Sequence, residues 1–260
     1  QLVTWPLLPL PLRIREKTPL LKNAVVTQKR GLCAGLRVRG GFISWLSRDN
    51  MTPETMLLAG LHLNGKTVYD VGGHKGHLTM FFARQVGETG NVVTFEPNPH
   101  NHATIIDHIE LNGFSNVQVL QMGLGVRQES LEFVVPDSAR GTASPEKQRT
   151  YADREGLQVF QIDLDTMDHQ IAVQNLTEPN FVKIDVEGLE MEVLRGMTQT
   201  MSKNRPAILV ELHGVREVEV VELLLDHNYR VHQVEDGIDI TRQNIQRVRG
   251  HLYATPRSTP

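Results

Sequence analysis

The sequence predicts an α/β fold: a mostly parallel sheet with helices on both faces. Three observations carry that prediction. From Lys66 onward, short apolar runs alternate with stretches of helical periodicity, the rhythm of βα units. One apolar run, Val68 to Val71, leads into glycines at 72, 73 and 76 and then into Leu78, Phe81 and Phe82 at helical spacing. Finally, Asp70, Glu96, Gly123, Asp185, Glu187 and His213 all fall at or just past predicted strand ends. Ligands in such sheets bind beyond the carboxyl ends of the strands.

Composition narrows the class. A chain of 260 residues buries one substantial core. Its net charge of −3 argues against a nucleic-acid partner held by bulk electrostatics. The single cysteine, Cys33, excludes an intramolecular disulfide framework and a Cys-x-x-Cys zinc site, which favours a reducing, cytoplasmic setting. No apolar run approaches the ~18 residues of a membrane span. The chain starts at Gln1, which leaves a trimmed leading segment open.

Taken in order, residues 1–50 read as a basic N-terminal arm and a hairpin, and residues 51–260 as the ligand-binding domain. Prolines at 6, 9, 11 and 19 break regular helices in the arm. Its cations, Arg13 to Arg39, suit packing on the domain, a substrate lid, or contact with an anionic partner or membrane surface. Alternation through Leu36, Val38, Phe42 and Ile43 gives the hairpin. Thr52 caps and Pro53 opens a helix that Asn64-Gly65 ends.

The predicted sheet strands are then 67–71, 91–95, 117–122, 180–184 and 207–212, with final strands at 229–234 and 252–254. Helices fill the gaps, starting near Gly76, Pro99, Leu189 and Val218. Between the third and fourth strands, residues 130–135 and 157–164 form an inserted hairpin. The polar segment 136–156 between them is a surface loop or flap.

The strand-end residues suggest chemistry. The turn Asp70-x-Gly72-Gly73-x-x-Gly76 offers backbone N–H groups and a helix N-terminus to a polar or anionic ligand. Its spacing departs from the dinucleotide fingerprint Gly-x-Gly-x-x-Gly, and Asp70 adds an acid. A phosphate-free ligand with a cationic amino-acid end, such as S-adenosylmethionine, suits that lip. Glu96 can accept hydrogen bonds from both ribose hydroxyls, with Pro97 stacking on an adenine face. His74 lines the ligand through its backbone.

Asp185 and Glu187 can favour a sulfonium and orient a substrate hydroxyl. They can also hold a divalent metal with His213, or simply cap a helix, the role assigned to Glu190. His213 is the first choice for general base, since its ordinary pKa of ~6.5 leaves it largely neutral at pH 7. His74 and His77 lack zinc-helix spacing. No Asn/Asp-Pro-Pro-Tyr/Phe segment and no Gly-x-Ser-x-Gly elbow is present.

Five stretches together resemble the FkbM-type S-adenosylmethionine-dependent methyltransferases. They are Val68 to Gly76, Phe95-Glu-Pro-Asn-Pro99, Asn112 to Asn116, Phe181 to Glu190 with Val193-Leu-Arg-Gly196, and Ile208 to His213. Lys183-Ile-Asp-Val-Glu-Gly188 is the most specific of them, and the resemblance covers roughly residues 37–256. It implies a class I methyltransferase (Rossmann-like) sheet of seven strands, the last pair including an antiparallel strand. It also implies methyl transfer to a hydroxyl of a sugar, glycan or polyketide-like small molecule.

Carried across, Asp70, Gly72 and Gly76 surround the methionine end of the cofactor and Glu96 holds the ribose. Pro97 and Gly123 lie near the adenine, and Asp185 lies beside the reacting methyl. One departure is Gly73-His74, where the family usually has Ala-Asn. The reading is an O-methyltransferase using S-adenosylmethionine and no metal. Its base is His213, with Asp185 or Glu187 as alternatives. A nicotinamide-dependent oxidoreductase and a non-catalytic binding module remain open on the residues alone.

Overall fold

The structure, a computed structural model, describes residues 24–39, 51–136, 157–214 and 216–257. The chain begins with a small antiparallel pair, β1 (Val25–Thr27) and β2 (Arg37–Arg39), in register Val26 to Val38. The expected hairpin used residues 36–43. Its first strand instead lies upstream, in the predicted arm, and Phe42 and Ile43 fall outside the described residues, as do residues 1–23. The Arg39 side chain anchors this pair to Asp107 at 2.6 Å, and Asn112 clamps the backbone of Arg37.

Helix α1 (Pro53–Ala59) starts as predicted, with the Thr52 hydroxyl accepting from the Thr55 N–H at 3.2 Å. It stops at Gly60, earlier than expected, and Leu63 beyond it is buried in the core. Next come β3 (Thr67–Val71), α2 (His77–Val86), β4 (Asn91–Phe95), α3 (Pro99–Asn112) and β5 (Val117–Leu120). Gly76, at φ +79°, provides the left-handed corner before α2. Asn98 caps α3 by accepting from His100 and Asn101, and Gly113 at φ +70° ends it.

Then follow β6 (Gly123–Leu124), β7 (Glu129–Pro136), β8 (Leu157–Asp165), α4 (Met167–Val173) and β9 (Phe181–Ile184). The C-terminal part holds α5 (Glu190–Arg195), α6 (Thr198–Lys203), β10 (Ala207–Glu211) and α7 (Glu217–Asp226). It ends with β11 (Tyr229–Gln233), β12 (Asp239–Ile240), a short 3₁₀ turn and β13 (His251–Pro256). The sequence pattern missed α4 and α6. Both are short, and α6 is started from a distance: Asp168 accepts from the N–H groups of Gln199 and Thr200, each at 2.9 Å.

The main sheet runs β12-β11-β13-β10-β9-β3-β4-β5. Seven of these strands are the expected ones, with β13 inserted antiparallel between β10 and β11. The eighth, β12, is a two-residue edge added to β11. Parallel pairs β3·β4, β3·β9 and β9·β10 align their carboxyl ends along one rim. The inserted hairpin forms as predicted: β7 pairs antiparallel with β8, and β6 joins β8 to make a separate three-stranded sheet. Residues 137–156 of the expected flap lie outside the described residues.

The core lies on both faces of the sheet, as a buried parallel sheet requires. One layer gathers Val68, Phe81, Phe82 and Phe181; the other gathers Tyr69, Phe95, Ile184, Leu194 and Leu224. Phe82 meets Phe181 edge-on at 5.8 Å. Burying each such side chain contributes roughly 1.5–3 kcal/mol. Among the described residues, no helix is long and apolar enough to cross a membrane.

Candidate active site

At the carboxyl end of β3 the chain bends through Gly72 at φ +88°. A Cβ there would sit 1.9 Å from the Asp185 carbonyl oxygen, so glycine is what lets the β3 turn close on the end of β9. The N–H groups of this turn are largely spent within the protein. Gly72 and Gly73 donate to the Phe95 carbonyl at 2.9 and 3.2 Å, and Gly76 donates to Gly73 at 2.8 Å. His74, at φ +49° with its side chain exposed, donates its N–H to Glu96 at 2.6 Å. Few of these donors are therefore left for the polar or anionic ligand that the turn is expected to accept. A turn with so few donors to spare suits a ligand without phosphate better than a dinucleotide.

Glu96 is buried and accepts from His74, from Asn98 at 2.9 Å and from the Asn101 amide at 3.4 Å. Burial raises its pKa to about 7, against the pull of those donors. Each carboxylate oxygen can accept more than one hydrogen bond, so capacity remains for ligand hydroxyls. Pro97 is half-buried beside Gly123, whose Cβ would lie 3.8 Å from the proline ring. Asp70 corrects the expectation of an acidic lip. Only 2% exposed, it lies beneath the turn, accepts from the Thr79 hydroxyl at 2.6 Å and pairs in register with Lys183. Burial raises its pKa to about 6.

The ends of β9, β10 and β13 gather a second set of groups. His213 Nδ1 lies 2.8 Å from Glu190 Oε1, and Glu190 is itself 1% exposed. The opposite ring nitrogen, Nε2, faces Asp185 at 3.6 Å, Glu211 at 3.8 Å and Glu187 at 3.9 Å. The Glu190 hydrogen bond raises the His213 pKa, with Asp185 and Glu187 adding to it against burial. Glu187 takes φ +56°, a strained position for a side chain of its size.

Beneath this lies Lys183, 1% exposed. Its Nζ is 3.7 Å from Glu54, 3.7 Å from Asp185 and 3.9 Å from Glu211. Burial opposes its charge, but Asp185, Glu54 and Glu211 outweigh that and raise its pKa. Glu211 pairs in register with His251, whose Nδ1 meets Glu235 at 2.7 Å and whose Nε2 faces Glu54 and Glu211 at 3.5 Å. Burial works against a charge on His251; the contacts with Glu211 and Glu235 and the Glu54 charge win and raise it to about 9. The His251 ring beside Glu211 draws that carboxyl down to about 2, while burial raises Asp185.

The sequence signature described as "Methyltransferase FkbM domain" matches residues 70–231. The chain belongs to the FkbM methyltransferase family. The family is one of methyltransferases, and the chain spans little more than half the length of the first relatives it matches. Methyltransferase 1 of Beauveria bassiana is 30% identical over 152 residues, half of this chain and 57% of that protein. Hexuronic acid methyltransferase AglP of Haloferax volcanii is 26% identical over 242 residues, 89% of this chain and 94% of that one. The crystal structure of an FkbM methyltransferase from Methylobacillus flagellatus shares the fold, with a TM-score of 0.50 at 17% identity. That match covers 78% of this chain and 50% of the other.

This FkbM chain brings most of the predicted residues together. Gly72 and Asp185 touch, His74 bonds Glu96, Pro97 adjoins Gly123, and Asp185 and Glu187 converge with Glu211 on His213. Its turn fits the family's donor: it has few free N–H groups for phosphate, and a buried acid, Glu96, sits at its edge. Sequence reasoning missed Glu54, Lys183, Glu235 and His251 as site residues, and it assigned Glu190 to helix capping. Lys183 carried one usable signal, a lysine in an otherwise apolar strand. His251 carried none, because the antiparallel insertion of β13 is what brings it to Glu211.

Asp185, Glu211 and His213 each offer an atom within 4.8 Å of the others, a spacing a cation can use. Lys183 already supplies positive charge to two of them.

Proposed function

We propose that this chain methylates a hydroxyl oxygen on a sugar-like acceptor, with His213 Nε2 taking the proton that the hydroxyl releases. The observation that carries the reading is the convergence of His213, Asp185 and Glu187 beside the Gly72 turn. S-adenosylmethionine, when bound, supplies an electrophilic methyl group on a sulfonium. The Gly72–Gly76 turn, Glu96, Pro97 and Gly123 hold this donor, and Asp185 faces its reactive end. Glu187 and Glu211 accept hydrogen bonds from neighbouring acceptor hydroxyls and orient them.

AglP, whose named substrate is hexuronic acid, supports a saccharide as the acceptor class. No metal enters this reading, because Lys183 and His251 already supply positive charge to these carboxylates from within. Residues 51–260 are the catalytic domain in this reading. Residues 1–50 are its N-terminal basic arm and hairpin, with the arm's cations as a contact for an anionic surface. The lone buried thiol, Cys33, suits a reducing cytoplasm.

The test is transfer of labelled methyl from S-adenosylmethionine to a panel of hexosides, hexuronates and polyketide alcohols, with S-adenosylhomocysteine binding measured in parallel. Label on an acceptor oxygen supports the proposal. Folded protein that binds neither donor nor product overturns it. Tight binding without transfer to any acceptor turns the reading toward a non-catalytic cofactor-binding module.

A further inference from the structure

We propose that Glu190 is a positioning residue for catalysis: it fixes the His213 ring so that Nδ1 carries the proton and Nε2 presents a free lone pair to the acceptor. The inference rests on the methyl-transfer reading above and adds to it the means by which the base is kept in its working form.

An unrestrained neutral imidazole exchanges its proton between two nitrogens, and only the nitrogen facing the substrate is useful as a base. Here the two nitrogens have different surroundings. Nδ1 meets one acceptor at hydrogen-bond distance, Glu190 Oε1 at 2.8 Å. Among the described residues, Nε2 meets oxygens only at 3.6–3.9 Å, from Asp185 and Glu187 beyond β9 and from Glu211 at the end of β10. Those gaps are too long for hydrogen bonds, so among the described residues the ring's hydrogen bond is the one at Nδ1, while the carboxylates near Nε2 act on it only through their charge.

Glu190 is held for this task. It is 1% exposed, and its Oε1 also accepts the Gly188 N–H at 2.9 Å. That backbone contact occupies the same oxygen and fixes it where Nδ1 reaches it. Its Oε2 is buried with no hydrogen-bond partner among the described residues. Helix capping, the role its position suggested, does not require burial or contact with a histidine 23 positions away. A carboxylate that orients an imidazole and supports its charged form is the relation found between acid and base in hydrolytic triads.

The test reads the ring directly, without needing the acceptor. Nitrogen-15 spectra of histidine-labelled full chain, with S-adenosylhomocysteine added, report where the neutral His213 ring holds its proton; the His213→Gln variant assigns the signal. The expected result is protonation at Nδ1, with a titration midpoint above the ordinary ~6.5. In Glu190→Gln the midpoint falls by at least one pH unit. With any acceptor found, kcat falls at least tenfold, the alkaline-rising limb of its pH profile moves to lower pH, and KM for the donor stays within twofold.

Glu190→Asp keeps the charge and restores part of the midpoint shift, which a merely structural role would not do. Protonation at Nε2 in the wild type overturns the proposal. So does a midpoint unmoved in folded Glu190→Gln. Failure of the methyl-transfer reading is seen separately, as absence of S-adenosylhomocysteine binding in the same wild-type sample.

Discussion

The two halves of the rim are built differently. Around the β3 turn, polar groups are buried and bonded to one another at ordinary distances. The His74 N–H reaches Glu96 at 2.6 Å, the Asn98 N–H reaches it at 2.9 Å, and the Thr79 hydroxyl reaches Asp70 at 2.6 Å. Around the ends of β9 and β10, Glu190 and Glu235 hold the two histidines at 2.8 and 2.7 Å, while the remaining charges face each other at 3.5–3.9 Å, longer than ordinary hydrogen bonds. There Asp185, Glu187 and Glu211 remain about one-third exposed. The first half is finished before a ligand arrives. The second half keeps unspent hydrogen-bonding capacity, which is what an acceptor with several hydroxyls needs. A fixed ligand is served by a buried, hydrogen-bonded wall, and a reacting one by partly exposed charges held close to one another.

The most severe loss comes from removing the base. His213→Gln should lower kcat by roughly 10²–10⁴-fold, the usual worth of general-base catalysis, with donor affinity nearly unchanged. A parallel loss of S-adenosylhomocysteine binding would erase the division between the halves. Next is Lys183→Met. It leaves Glu54, Asp185 and Glu211 facing one another without their shared cation, and breaking a buried pair costs about 3–5 kcal/mol. Urea unfolding measures this, and an unchanged midpoint would mean the charges are better hydrated than their burial suggests.

Gly72→Ala should cost roughly 1–3 kcal/mol, the usual range for overpacking, since its Cβ would strike the Asp185 carbonyl. Because that contact joins the halves, both donor binding and turnover should suffer. Glu96→Ala should act on one side only: at least tenfold weaker S-adenosylhomocysteine binding by calorimetry, a loss of ~1.4 kcal/mol.

The mildest effect is on pH. His251, raised to about 9, adds stability that is full below its unfolded value near 6.5 and is lost as pH climbs through 9. Glu211, lowered to about 2, adds stability that is full above its unfolded value near 4.5 and is lost as pH falls toward 2. The β10·β13 pair should therefore hold best between about 4.5 and 6.5. Thermal unfolding across pH, with His251→Gln flattening the alkaline side, checks it.

Much of this was legible in the chain. The strand β4 and the start and stop of α3 follow from local chemistry: an apolar run, an Asn-Pro start and an Asn-Gly stop. Gly72, Glu96, Asp185 and His213 were legible because each ends a strand of a parallel sheet, and such ends share one rim. Features that depend on near neighbours along the chain needed nothing more than the residue order: periodicity, caps, turns, and hence the succession of βα units.

Packing decided the rest. Glu54, the pair Lys183 and Glu190, Glu235 and His251 come from four separate segments, and nothing local marks those segments as partners. Burial and register, properties of the packed sheet, turned Asp70 from a lip into a support. They spent the turn's N–H groups on Phe95 and Glu96, and they set β13 beside β10 so that His251 meets Glu211. The cause is range: a hydrogen bond or an ion pair is fixed by distances of a few ångströms, and only the folded sheet brings residues so far apart in sequence within them.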